Sequence, residues 1–102
     1  MHLIQMFLPV TDNQGAALPK QLFSRVKDTL VERFGGLTTY SRAPASGMWA
    51  EDGSEVVADD LVVYEVVVEQ LDRGWWRDYL SALESEFRQE RLHVRAIQVD
   101  VL

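Results

Sequence analysis

The eleven residues Asp60 to Gln70, DLVVYEVVVEQ, limit what this chain can fold into more than any other stretch. They are dominated by β-branched residues, which favour a pleated strand. Successive side chains of a strand point to opposite faces. Val62, Tyr64, Val66 and Val68 therefore share one face, and Leu61, Val63, Glu65, Val67 and Glu69 share the other. The segment Leu3 to Val10 reads the same way: Ile4, Met6 and Leu8 lie on one side, Leu3, Gln5 and Phe7 on the other. Strands apolar on both faces belong in the middle of a sheet. Pro9 fits a strand end.

Two helices accompany these strands. Leu22, Phe23, Val26, Leu30 and Phe34 recur at helical spacing and form one buried stripe. Pro19 suits the first turn, where its missing N–H costs nothing. Gly35 and Gly36 supply a left-handed end, with Leu37 folding back on Val31. The second helix runs from Arg73 to about Gln89, with Asp72 as its N-cap. Trp75, Trp76, Tyr79, Leu80, Leu83 and Phe87 make its apolar side, and Glu84 and Arg88 form an i,i+4 pair.

The remaining segments are shorter. Thr11 to Gly15 is a loop by its turn chemistry. Leu37 to Arg42, LTTYSR, is a strand that the APASG run breaks. Met48 to Ala50 extends again, Glu51 to Ser54 is a tight turn, and Val56 and Val57 lie on its return arm. Leu92 to Val101 is the last strand. Its alternation is imperfect, and a bulge near Ala96 would reconcile it.

Strand, helix, strand, strand, helix, strand is the order of the split βαβ, ferredoxin-like motif. The expected fold is a single α+β domain over residues 1–102: a βαββαβ sandwich with a four-stranded antiparallel sheet, order 4-1-3-2, and two helices on one face. That order places the two most apolar strands in the centre. The opposite sheet face then carries Leu3, Gln5, Phe7, Val63, Glu65, Val67 and Glu69, too many apolar groups for a wholly wet surface. A homodimer through that open face is expected, with a ligand cleft as the alternative.

Composition removes several classes of function. The chain has 102 residues, no cysteine and a formal charge of −6. Thiolate catalysis, disulfides and Cys-based metal sites are excluded, and nonspecific nucleic-acid binding is disfavoured. No apolar run reaches the roughly 20 residues of a membrane span, and the N-terminus lacks a signal-peptide pattern. The expectation is a cytoplasmic protein without cofactor or metal. His2 and His93 stand apart without metal-ligating spacing and are read as structural or surface groups.

The whole pattern resembles the ferredoxin-like superfamily whose members pair as dimeric α/β barrels. The stretch FGGLTTYSRAPASGMW (Phe34 to Trp49), the Asp52-Gly53 turn and the following Val-rich strand resemble small bacterial families of unknown function. The broader resemblance implies cofactor-free monooxygenases, haem-binding enzymes or plain ligand-binding modules, and no motif here selects among them.

The candidate residues fall in two groups. Glu65 and Gln5, on neighbouring strands, are a candidate polar pair. A Glu65 desolvated by apolar neighbours would serve as a general acid or base. Tyr40, Arg42, Ser46 and Trp49 form the other group. Arg42 has the fork that binds a carboxylate or phosphate, and Trp49 with Phe7 would hold an apolar ring. Ser41 and Ser46 lack the setting of a nucleophile, and APASG lacks the ending of a P-loop. Two functions follow: a small ligand-binding or protein-interaction domain acting as a homodimer, or a small dimeric-barrel enzyme, monooxygenase-like or isomerase-like, acting on an apolar or aromatic organic acid. The blander readings are a wet interface for Glu65 and a surface loop for Tyr40 to Trp49.

Overall fold

The chain runs β1 (His2–Pro9), α1 (Lys20–Phe34), β2 (Thr38–Pro44), β3 (Asp60–Val68), α2 (Arg73–Glu86) and β4 (His93–Gln98). This is a computed structural model that describes residues 1–44 and 60–102. The expected turn at Glu51 to Ser54, its two arms, Ser46 and Trp49 lie outside the described residues. The four strands form one antiparallel sheet in the order β2-β3-β1-β4. Read from the other edge, this is the expected 4-1-3-2 order, and the architecture is the ferredoxin-like sandwich. β1 and β3 hold the centre.

The core lies between the sheet and the helices. Ile4, Met6 and Leu8 of β1 and Tyr64, Val66 and Val68 of β3 meet Leu22, Val26 and Leu30 of α1. From the other helix come Trp76 and Leu83, with Phe87 just past its end. Trp75 and Trp76, adjacent on one helix, cannot both point inward. Trp76 is buried and stacks flat on Phe34 at 5.6 Å between centroids. Trp75 is half-buried, edge-on to Phe34, with the Arg33 guanidinium 4.2 Å above its ring. Arg33 also lies 3.7 Å from Asp72, so the end of α1 is tied to the start of α2 by stacking and charge together.

The helix ends show where sequence signals held and where they misled. Pro19 is the N-cap of α1 and offers no side-chain bond. Gly35 takes the left-handed conformation, φ 79°, and its N–H bonds to the Val31 carbonyl. Gly36 does not take that conformation, and Val31 stays 48% exposed while Leu37 packs toward the core. The Asp72 carboxylate caps α2 by accepting from the Trp75 N–H at 3.0 Å. That helix stops at Glu86, earlier than expected. Gln89 N–H bonds to the Glu84 carbonyl and Arg88 N–H to that of Ser85, a Schellman ending with Arg88 at φ 53° in the glycine position. The expected Glu84–Arg88 pair therefore does not form. Glu84 turns instead to accept from the Leu92 N–H at 3.0 Å.

Two further expectations are corrected in the sheet. β4 pairs with β1 in unbroken register from Phe7↔His93 to His2↔Gln98, with no bulge at Ala96. The strand ends at Gln98, so Val99 and Val101 do not belong to its alternation. The irregularity is in β2, where the register shifts between Tyr40 and Ala43 and the strand continues to Pro44.

The loop after β1 is fixed by Asp12. Its Oδ1 accepts from the N–H groups of Gln14 at 2.8 Å and Ala16 at 2.9 Å. These bonds, that of Ala16 first, hold the Asp12 carboxyl below its ordinary value against the opposing effect of burial. A depressed folded-state value stabilises the native chain fully above the unfolded carboxylate's value, about 3.9, and the contribution is lost as pH falls through the folded value. Asp12→Asn is expected to lower stability at neutral pH, with the gap to the parent protein closing below about pH 4. Urea midpoints measured from neutral pH into acid check this, and a gap unchanged by pH would contradict it.

Candidate functional site

The sheet face turned away from the helices presents three rows that cross the strands. The register pairs Gln5 with both Glu65 and Arg95, and Glu65 with Thr38. Thr38, Glu65, Gln5 and Arg95 therefore make one polar row over all four strands. On one side runs the row Tyr40, Val63, Phe7 and His93. On the other runs Val67, Leu3 and Ile97. Residues paired across strands have their side chains close enough to touch.

The polar row is bonded end to end at its centre. Gln5 Nε2–H donates to Glu65 Oε2 at 2.6 Å, and Arg95 Nε–H donates to Gln5 Oε1 at 2.7 Å. The amide oxygen faces the cation and the amide nitrogen faces the anion, so the side-chain dipole of Gln5 supports both charges. The Arg95 guanidinium also sits 5.1 Å from the Phe7 ring centroid, and the His93 ring on the neighbouring strand lies 5.2 Å from Phe7. The flanking rows are largely apolar and unevenly exposed: Tyr40 is 51% exposed, Val67 44% and Ile97 41%, while Val63 is buried at 6%.

The expected Gln5–Glu65 pair is thus formed, and Phe7 and Tyr40 share its face. Arg42 lies on β2 within the register shift, between the pairs at Tyr40 and Ala43, and Trp49 is outside the described residues. Glu69 lies just past the end of β3, so it does not continue the row of Glu65. Arg95 is the residue that sequence reasoning missed. Plain alternation through His93, Arg95 and Ile97 is the signal, hidden by the apolar run that follows. Glu65 is half-buried, and its carboxylate accepts a hydrogen bond from the Gln5 amide.

His2 and His93 sit at opposite ends of the β1–β4 ladder. Among the described residues, no three His, Asp or Glu side chains gather as a metal-binding group. Also among the described residues, no helix is long and apolar enough to cross a membrane.

No protein-family model matches the chain, and no curated protein matches it. Among solved structures it is similar to one described as a phage SAM lyase in complex with S-methyl-5'-thioadenosine, at 17% identity and a TM-score of 0.49, over 95% of this chain and 80% of that one.

Proposed function

We propose that this chain is a homodimeric interaction and ligand-binding domain whose open sheet face is the interface between two copies. The observation that carries the reading is the ordered row Glu65, Gln5, Arg95, with charge of opposite sign on either side of a neutral centre. A two-fold axis parallel to the strands and passing over β1 exchanges the two sides of such a row. It sets Glu65 of each copy against the partner's Arg95, and Gln5 against the partner's Gln5. The same operation brings Leu3 and Phe7 onto their own counterparts and Val67 onto the partner's Ile97. An axis across the strands would instead stack Glu65 on the partner's Glu65. Charge complementarity therefore selects one of the two isologous arrangements.

The size of the face bounds the affinity. With the axis over β1 the overlapping strands are β3, β1 and β4, and three strands about 4.8 Å apart and roughly six residues long give a face of about 14 by 20 Å. Two such faces cover about 600 Å² of projected area, below the roughly 1,200–2,000 Å² of tight complexes. A dimer in exchange with monomer at micromolar concentrations is the expected result. Sedimentation velocity across a dilution series is the measurement. A chain that remains monomeric at about 100 μM, equivalent to less than about 5.5 kcal/mol of association, overturns the proposal.

A further inference from the structure

The second face of the sheet holds a cavity that the open-face interface leaves untouched. It has a volume of about 520 Å³ and lies under α1, between that helix, the segment after β1, and strands β2 and β3. Val10, Leu18, Phe23 and Val62 give it apolar walls, and the Tyr64 ring is part of its floor. Burial raises the Tyr64 phenol above its ordinary value, so the group stays protonated and neutral. Lys20, Ser24 and Lys27 supply its helical rim. These three residues are spaced by four and three, so they stand on one face of α1 over two turns.

The distribution of charge around this cavity is the informative part. Lys20 and Lys27 are the two lysines of the whole chain, in a protein of net charge −6. Both belong to this one lining, which contains no Asp or Glu among the described residues. Also among the described residues, neither ammonium is within 4.0 Å of a carboxylate. Lys27 Nζ leans inward, 5.8 Å from the centroid of the Tyr64 ring. An apolar chamber with cationic donors at its mouth complements a molecule with an apolar body and an anionic end. The volume is within the roughly 300–1,000 Å³ of small-molecule sites.

We infer that this cavity binds a small amphipathic carboxylate, with its apolar body against Phe23, Val62 and Tyr64 and its carboxylate between Lys20 and Lys27, hydrogen-bonded also by Ser24. A lysine ammonium is a compact charge on a flexible stem and follows a carboxylate without a fixed fork geometry. The site goes beyond the dimer reading and is independent of it, because no residue of the bonded row Glu65, Gln5, Arg95 lines it.

The test is isothermal titration calorimetry of the intact chain with octanoate and, separately, octylammonium. Octanoate is expected to saturate one site per chain, and octylammonium to bind at least about tenfold more weakly. Lys20→Ala and Lys27→Ala are each expected to weaken octanoate about three- to tenfold, and Ser24→Trp to block it. Unchanged melting of the unliganded variants shows that the fold survives. Arg77→Ala, in a separate cavity under α2, is expected to leave binding unchanged. Equal binding of the two probes, no saturation by about 5 mM, or loss of affinity in Arg77→Ala in place of the lysine variants overturns the inference.

Discussion

Phe87→Ala is expected to destabilise the domain by about 3–5 kcal/mol, the usual cost of removing a fully buried aromatic ring. Phe87 is 0% exposed and is among the largest enclosed side chains of the core. Its ring meets Phe23 edge-on at 5.3 Å between centroids, which joins the end of α2 to the start of α1. The Phe87 N–H also bonds to the Leu83 carbonyl at 2.8 Å, which fixes the backbone that carries the ring. Neighbours held that firmly collapse only partly into the void, so the cost belongs near the upper half of that range. For a chain of this size the melting temperature should fall by roughly 12–40 °C. Phe23→Ala should cost less, since Phe23 is half-buried. The double variant should fall short of the sum by about 0.5–1.5 kcal/mol, the worth of the aromatic pair itself. Urea unfolding of the four proteins decides this. A loss under about 1.5 kcal/mol for Phe87→Ala would mean that the site repacks freely.

Reversal of charge on the open face is expected to move dimerisation more than folding. Glu65→Arg alone would set the introduced guanidinium against the partner's Arg95, twice in each dimer. Arg95→Glu alone would set two carboxylates together, also twice. Like charges brought together in an interface cost several kcal/mol, so each single reversal should weaken dimerisation about a hundredfold or more. The double variant Glu65→Arg with Arg95→Glu restores opposite signs at both contacts, and its affinity should return to within about tenfold of the parent. Gln5 can turn its amide to serve the exchanged charges. Sedimentation measures the dimer while thermal melting reports the fold of each variant. A double variant as weak as the single ones would rule out the two-fold axis along β1.

Much of the fold is legible in the sequence. The central strands announce themselves because β1 and β3 must be apolar on two faces, and that alone puts them inside the sheet. The Gln5–Glu65 contact follows from the same alternation once the strand order is known. What stays hidden depends on where elements end. Arg88 ends α2 in a conformation that glycine normally marks, so the pattern predicts a longer helix and a side-chain pair beyond its true end. Val99 and Val101 belong to no strand, yet their apolar character masks the plain alternation of β4. Arg95 is obscured with them, although it completes the polar row. The lysine-rimmed cavity is invisible for another reason: its walls come from α1, β2, β3 and the segment after β1, and no local pattern brings those together.

The register shift in β2 bears on whether this rim of the sheet could template pairing with another chain. Among the described residues β2 is an edge strand, and a straight edge offers its free backbone groups to any other chain. Here regular pairing with β3 stops at Tyr40 and resumes at Ala43, and Pro44, which has no N–H to donate, closes the strand. A second sheet could not align with that kinked rim over more than a few residues, so fibre growth from this side is blunted. The opposite rim, β4, is only six residues long. The proposed assembly through the broad face closes at two copies and uses neither rim.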